Sequence, residues 1–203
     1  MNKNLEKKVW MKYYSEDAKK VEMPKCTAYD FMMQQNKDRM STPALHYYGK
    51  DITFVELAKR VDETAKAFAA IGVKAGDIVS FLSVQIPETI AAVYALNKLG
   101  AAANTIDPRM DVASIERMVK NSGSKILVTI DIAFPKVAKI IDSIKQDLII
   151  TQSAATSLPL FKKIAMKIAV KTDVPYSDTI IKWSNFIKNG KDTEYKTAPY
   201  VGD

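Results

Sequence analysis

Short, almost wholly apolar runs separated by stretches with helical spacing dominate the middle of the chain. The runs are residues 78–84 (IVSFLSV), 101–106, 126–130 (ILVTI) and 148–151 (LIIT), and each suits a strand buried on both faces. The stretches between them carry helix signals. Thr53 and Glu56 have the T-x-x-E spacing of a capping box, followed by Leu57, Val61, Ala65, Phe68 and Ala69 on one face and a stop at Gly72. Pro87 opens a helix that runs to Gly100, Asp111 or Ser114 caps another through Val119 to Gly123, and Pro135 starts one through Val137, Ile140, Ile141 and Ile144. Helices between fully apolar strands predict parallel pairing through βαβ crossovers. The expected fold is α/β, a doubly wound, mostly parallel sheet with helices on both faces. A short N-terminal hairpin at residues 44–52, turning about Gly49-Lys50, precedes it.

Past Thr151 the pattern changes. Phe161, Ile164, Ala165 and Ile168 share one helical face, with Lys162, Lys163, Lys167 and Lys171 on the other. The preferred reading is a helix packed on the core with solvated lysines; the alternative is a helix lying on a membrane surface. Trp183, Phe186 and Ile187 mark one more short helix. The organisation expected is a helical lead-in at 1–27, an α/β unit at 28–188 and a polar linker at 189–203.

The composition, 47% hydrophobic and 26% charged over 203 residues, is that of a globular protein. No run reaches the roughly 20 apolar residues of a membrane span. The N-terminus, with Lys3, Lys7, Lys8 and Lys12, has no apolar secretory core. A cytoplasmic location, with peripheral membrane contact as the alternative, is the expectation. Cys26 and His46 are the only residues of their kinds, which excludes an internal disulfide, a cysteine-rich metal site and Ser-His-Asp chemistry within this chain. The net charge of +7 comes almost entirely from lysine, with arginine only at 39, 60, 109 and 117. Nucleic-acid readers lean on arginine, so a lysine-rich surface is preferred and no nucleic-acid partner is expected.

Nucleotide motifs are missing. The seven glycines stand far apart at 49, 72, 76, 100, 123, 190 and 202, so neither G-x-G-x-x-G nor G-x-x-x-x-G-K-[ST] can form. Ligands on open α/β sheets sit beyond the carboxyl ends of the strands. Those ends hold Ser83, Gln85, Asn104, Thr105, Asp107, Asp131 and Gln152. Asp107-Pro108-Arg109 stands out because an acid and a guanidinium follow a strand directly, although Asp-Pro also starts ordinary turns. Glu88 reads as an acid suited to a helix N-terminus, and His46 as a structural histidine of the hairpin.

The order of these features resembles the opening of the adenylate-forming superfamily, which includes acyl-CoA synthetases, aryl-CoA ligases, luciferases and peptide-synthetase adenylation domains. The pieces are Thr53-Phe54-Val55-Glu56-Leu57, Gly72-Val73, Gly76-Asp77-Ile78-Val79, Pro87-Glu88, Lys98-Leu99-Gly100-Ala101 and Asp107-Pro108, with SGSKILVT closing the stretch 112–130. The N-terminal residues 10–14 and 29–31 are closer to acyl-CoA synthetases than to peptide-synthetase modules. The resemblance implies ATP-dependent activation of a carboxylic acid, a fatty acid by preference, through an acyl-adenylate, then transfer to CoA. It implies ATP, Mg²⁺ and CoA for the parent enzyme and no cofactor bound by these residues alone. The Pro-Lys-Gly phosphate loop and the family's other nucleotide-binding segments are not in this sequence. A truncation or split gene is therefore expected, with no adenylation by this polypeptide alone and self-association through uncovered apolar surface.

Two departures stand out: Gln85 where the family often has Asn, and Asp107 where Asn-Pro is usual. In relatives the second loop approaches the CoA-facing side, so Asn104, Thr105, Asp107, Pro108 and Arg109 are the candidate site. No catalytic or metal-binding residue is assigned. The rival reading is a non-catalytic α/β binding or scaffold module, since fold alone does not fix function.

Overall fold

The computed structural model describes residues 8–22, 24–169 and 172–201, and the side chains of 166–169 are not described. Lys3, Lys7 and Lys171, and the side chains of Lys167 and Ile168, lie outside what is described.

Two short helices, α1 (Glu16–Lys19) and α2 (Ala28–Gln35), lead into an antiparallel hairpin of β1 (Pro43–Tyr47) and β2 (Lys50–Thr53). The hairpin turns on Tyr48 and Gly49, both at positive φ (52° and 89°), not on Gly49-Lys50. Two left-handed residues match the strand twist, and the glycine bears the larger angle without strain. The predicted capping box is present: Thr53 Oγ1 accepts from the Glu56 amide and the Glu56 carboxylate accepts from the Thr53 amide. It starts α3 (Phe54–Ala70).

The main sheet has five parallel strands, β3 (Ile78–Leu82), β4 (Ala102–Ile106), β5 (Ile126–Ile130), β6 (Leu148–Gln152) and β7 (Ile180–Lys182), in the order β4-β3-β5-β6-β7. Connecting helices are α4 (Pro87–Leu99), α5 (Val112–Ser122), α6 (Phe134–Ala138), α7 (Ile141–Ile144) and α8 (Leu160–Ala169), with α9 (Trp183–Asn189) last. Asp111, not Ser114, caps α5 by accepting from the Ser114 amide. The single helix expected from Pro135 to Ile144 is two, because the backbone leaves helical geometry at Ile140 (φ −123°, ψ 3°).

Strand side chains alternate between two cores. Phe81, Val128 and Ile150 pack with α3, α4 and α9 on one face. Leu82, Leu127 and Ile149 pack with α5, α6 and α7 on the other. Helices therefore cover both faces, as doubly wound topology requires. The strand order reverses between β3 and β5, creating a crevice beyond their carboxyl ends.

Residues 190–201 contain no helix or strand, yet parts of them are docked. The Ala198 amide donates to Lys98 O (2.8 Å), and the Lys98 ammonium lies 5.4 Å from the Tyr29 ring centroid and 5.1 Å from that of Tyr195. The amphipathic helix α8 departs from the preferred reading. Its apolar residues Leu160, Phe161 and Ile164 face solvent, while Lys162 and Lys163 are half-buried. Both lysines hydrogen-bond carbonyls elsewhere in the chain, which turns the predicted faces around.

Candidate functional site

Beyond the carboxyl ends of β5, β6 and β7 lies an open cleft of about 670 Å³. Parallel strands bring their last residues to one edge, and three of the polar residues that the sequence places at strand ends come together there. The Ser83 hydroxyl is 3.0 Å from the Thr89 hydroxyl, and Gln152 Oε1 accepts from Thr89 (2.8 Å) and Ser83 (3.2 Å). Asp131 borders the same cleft. Three strand-end residues from the sequence reading, Ser83, Asp131 and Gln152, thus share one region of the molecule.

Glu88 joins them. Pro87 sets the first turn of α4, which points the next side chain into the cleft wall, where it is 4% exposed. The Ser157 hydroxyl donates to Glu88 Oε1 at 2.5 Å, and Arg60 Nη1 donates to Ser157 Oγ at 2.8 Å while lying 3.6 Å from the carboxylate. A carboxylate this deep needs such partners, since desolvation of the charge is costly. Glu88 was more than a helix-end acid; its Pro87-Glu88 position was the available signal. Arg60, Ser157, Lys163, Tyr176 and Lys182, which also line the cleft, carried no sequence signal because the fold assembles them from distant segments.

Two buried atoms bordering the cleft have no hydrogen-bond partner among the described residues: Glu88 Oε2, an acceptor, and Gln152 Nε2, a donor. Buried polar groups normally find partners, so the wall offers one of each type. Charge is mixed, with Arg60, Lys163 and Lys182 against Glu63, Glu88 and Asp131. That balance suits a polar ligand of low net charge better than a polyanion. Tyr47 ties the hairpin to the cleft's rim by donating to Ala154 O (3.0 Å), and burial of its ring pushes the phenol up to about 12.

The loop at 104–109 lies elsewhere, at the end of edge strand β4. Asn104 is turned to internal use, donating to Ser80 Oγ (3.0 Å), while Thr105 stays exposed. Asp107 and Arg109 close on each other: Arg109 Nη2 donates to Oδ2 at 2.6 Å, Nε contacts both oxygens at 3.0 Å, and the Arg109 amide donates at 2.8 Å. The Arg109 side chain and amide together pull the Asp107 carboxyl down to about 2. Lys136 braces the loop by donating to Pro108 O (2.8 Å) and Met110 O (2.7 Å). The expected turn is present, and Arg109 offsets the extra negative charge of Asp107.

No part of the described chain cradles a triphosphate. Gly49, Gly72, Gly76, Gly100 and Gly123 each sit at positive φ in a separate turn or helix end, so their amides do not converge. Among the described residues no three His, Cys, Asp or Glu side chains cluster for a metal, and His46 pairs with Asp51 on the hairpin (2.7 Å). The described residues do not by themselves fit ATP phosphates or Mg²⁺.

Comparison with known proteins gives one consistent answer. The chain is 36% identical over 95 residues to acetyl-coenzyme A synthetase 2 of Candida glabrata, covering 44% of this chain and 14% of that protein. It is 27% identical over 168 residues to the peroxisomal trans-cinnamate:CoA ligase of Petunia hybrida (79% and 28%) and 23% identical over 199 residues to the long-chain-fatty-acid–CoA ligase of Bacillus subtilis (96% and 35%). It therefore spans about a third or less of these relatives' lengths. In fold it resembles the anthranilate CoA ligase AuaEII in complex with anthranoyl-AMP, with TM-score 0.69 and 15% identity over 88% of this chain and 31% of that one. A benzoate CoA ligase from Burkholderia xenovorans gives 0.59 and 15% over 75% and 30%. The pattern of the AMP-binding enzyme family matches residues 32–193, the stretch that holds the hairpin, both cores and the cleft, and the chain belongs to that family of adenylate-forming ligases.

Proposed function

We propose that this chain forms the opening α/β unit of a carboxylate-activating ligase that converts an acid, ATP and CoA into acyl-CoA, AMP and pyrophosphate. The observation that carries the reading is the family pattern spanning 32–193 on a parallel sheet whose strand-end cleft is lined by Glu88 and Gln152, with Ser83 and Thr89 hydrogen-bonded to Gln152 behind it. Relatives named as an acetyl-coenzyme A synthetase, a trans-cinnamate:CoA ligase and a long-chain-fatty-acid–CoA ligase support a carboxylic acid as substrate. Mg²⁺ would accompany ATP on segments other than these. The Asn104–Arg109 loop, neutralised by its internal ion pair, is the surface we assign to the CoA side. These 203 residues are inactive by themselves in this reading, because among the described residues no group of converging amides holds the phosphates.

A chimera tests this. The chain replaces the matching region of the Bacillus subtilis ligase, and pyrophosphate–ATP exchange is measured with acetate, cinnamate and a long-chain acid. Exchange by the chimera and none by the 203-residue chain is the expected result. A folded chimera without exchange, or exchange by the chain alone, overturns the assignment.

A further inference from the structure

Helix α8 presents its apolar side to water. Leu160 is 75% exposed, Phe161 69% and Ile164 52%, and Tyr48 at the hairpin tip is 61% exposed. These belong to one surface: Lys162 Nζ donates to Tyr48 O at 2.8 Å and lies 5.9 Å from the Tyr48 ring centroid and 5.7 Å from that of Phe161. A contact between residues 114 positions apart holds the hairpin tip beside the helix. Single exposed apolar side chains are ordinary, but a contiguous ridge of large ones marks a surface that something covers.

Charge selects what covers it. Between residues 153 and 172 the sequence has lysines at 162, 163, 167 and 171 and no Asp or Glu. The Lys162 and Lys163 ammoniums each donate to one carbonyl, Tyr48 O and Thr156 O. An ammonium has three donors, so both retain capacity for phosphate oxygens. An apolar cover supplied by another protein surface would not need a flank free of acids, whereas an anionic bilayer attracts that flank and accepts the ridge among its acyl chains. No helix among the described residues is long and apolar enough to cross a membrane, so the contact is peripheral.

We propose that the ridge formed by Leu160, Phe161, Ile164 and Tyr48 docks on an anionic lipid surface, with the Lys162 ammonium, between the Tyr48 and Phe161 rings, at headgroup level. This goes beyond the ligase reading and does not depend on it.

The experiment is co-sedimentation of the 203-residue chain with vesicles of phosphatidylcholine, with and without phosphatidylglycerol, at low and high salt. Binding to the anionic vesicles is expected, weaker by roughly tenfold or more on phosphatidylcholine alone and weakened by salt. Phe161→Ser and Ile164→Ser should each lower partitioning roughly tenfold with an unchanged unfolding temperature, since both side chains already lie in water. No pelleting with anionic vesicles overturns the proposal, as does pelleting insensitive to both variants. A wild-type dimer that Phe161→Ser makes monomeric, without vesicle binding, overturns it in favour of a second copy as the occupant.

Discussion

The Tyr195 hydroxyl donates to Asp62 Oδ1 at 2.6 Å, joining a tail without regular structure to helix α3 across 133 positions. Lys98 completes the contact, 3.5 Å from the same oxygen and stacked on the Tyr195 ring. Burial pushes the Asp62 carboxyl up, but the Tyr195 hydroxyl and the Lys98 and Lys66 ammoniums outweigh it and leave it lowered. Tyr195→Phe keeps the ring over Lys98 and deletes the hydrogen bond. The expected loss is about 1 kcal/mol, below the usual range for a bond to a charged group because Asp62 is partly solvated. Urea unfolding measures it, and a loss near zero would mean the tail contributes nothing through this bond.

Alkaline pH should weaken the fold. Burial, first, and the Asp62 carboxylate, second, raise the Tyr195 phenol, and burial raises Tyr47 to about 12. Groups raised above their ordinary value of 10.0 stabilise the fold fully below that value, and the contribution is lost as pH climbs towards the folded value. Stability should therefore fall above about pH 10, with less of a fall in Tyr195→Phe. Thermal unfolding across that range tests the direction.

Gly190 should tolerate no side chain. Its φ of −88° is ordinary, so the constraint is space: a Cβ there would collide with Ala67 Cα and lie 2.6 Å from Ala67 N. Both are backbone atoms of α3 and cannot move aside. Gly190→Ala should cost about 3 kcal/mol through forced separation of α9 from α3. Unchanged stability would show that the two helices do not approach this closely.

Arg60→Ala leaves the buried Glu88 carboxylate with Ser157 as its remaining partner among the described residues. We expect a loss of about 2 kcal/mol, at or below the low end for a broken buried pair because Arg60 is partly exposed. Adding Glu88→Gln removes the stranded charge, so the double variant should be more stable than Arg60→Ala. A double-mutant cycle with no coupling would separate the two residues energetically.

The Asp107 carboxyl should titrate near pH 2, below its ordinary 3.8, because Arg109 holds it. A lowered carboxyl stabilises the fold above its ordinary value, and the contribution disappears as pH falls towards 2. Arg109→Ala should return the carboxyl NMR titration towards 3.8. A midpoint that ignores the variant would assign the depression to something else.

Local chemistry was legible in the sequence. The Thr53–Glu56 box, a cap at Asp111 or Ser114, Pro87 at a helix start and four apolar runs located the helices that begin at Phe54, Pro87 and Val112 and four of the five parallel strands, since propensity and periodicity act over a few residues. Strand β7 escaped because it has only three residues, too few for a period. The cleft was legible in part: Asp131 and Gln152, which line it, and Ser83, which donates to Gln152, follow from their places at strand ends, since parallel pairing puts such ends on one edge. Which segments close over that edge, bringing Arg60 and Ser157 to Glu88, depends on packing between residues as much as 97 positions apart. The direction in which α8 faces was decided the same way. Its stripe gave two faces, and only the carbonyls offered by Tyr48 and Thr156 determined that the lysines turn inward.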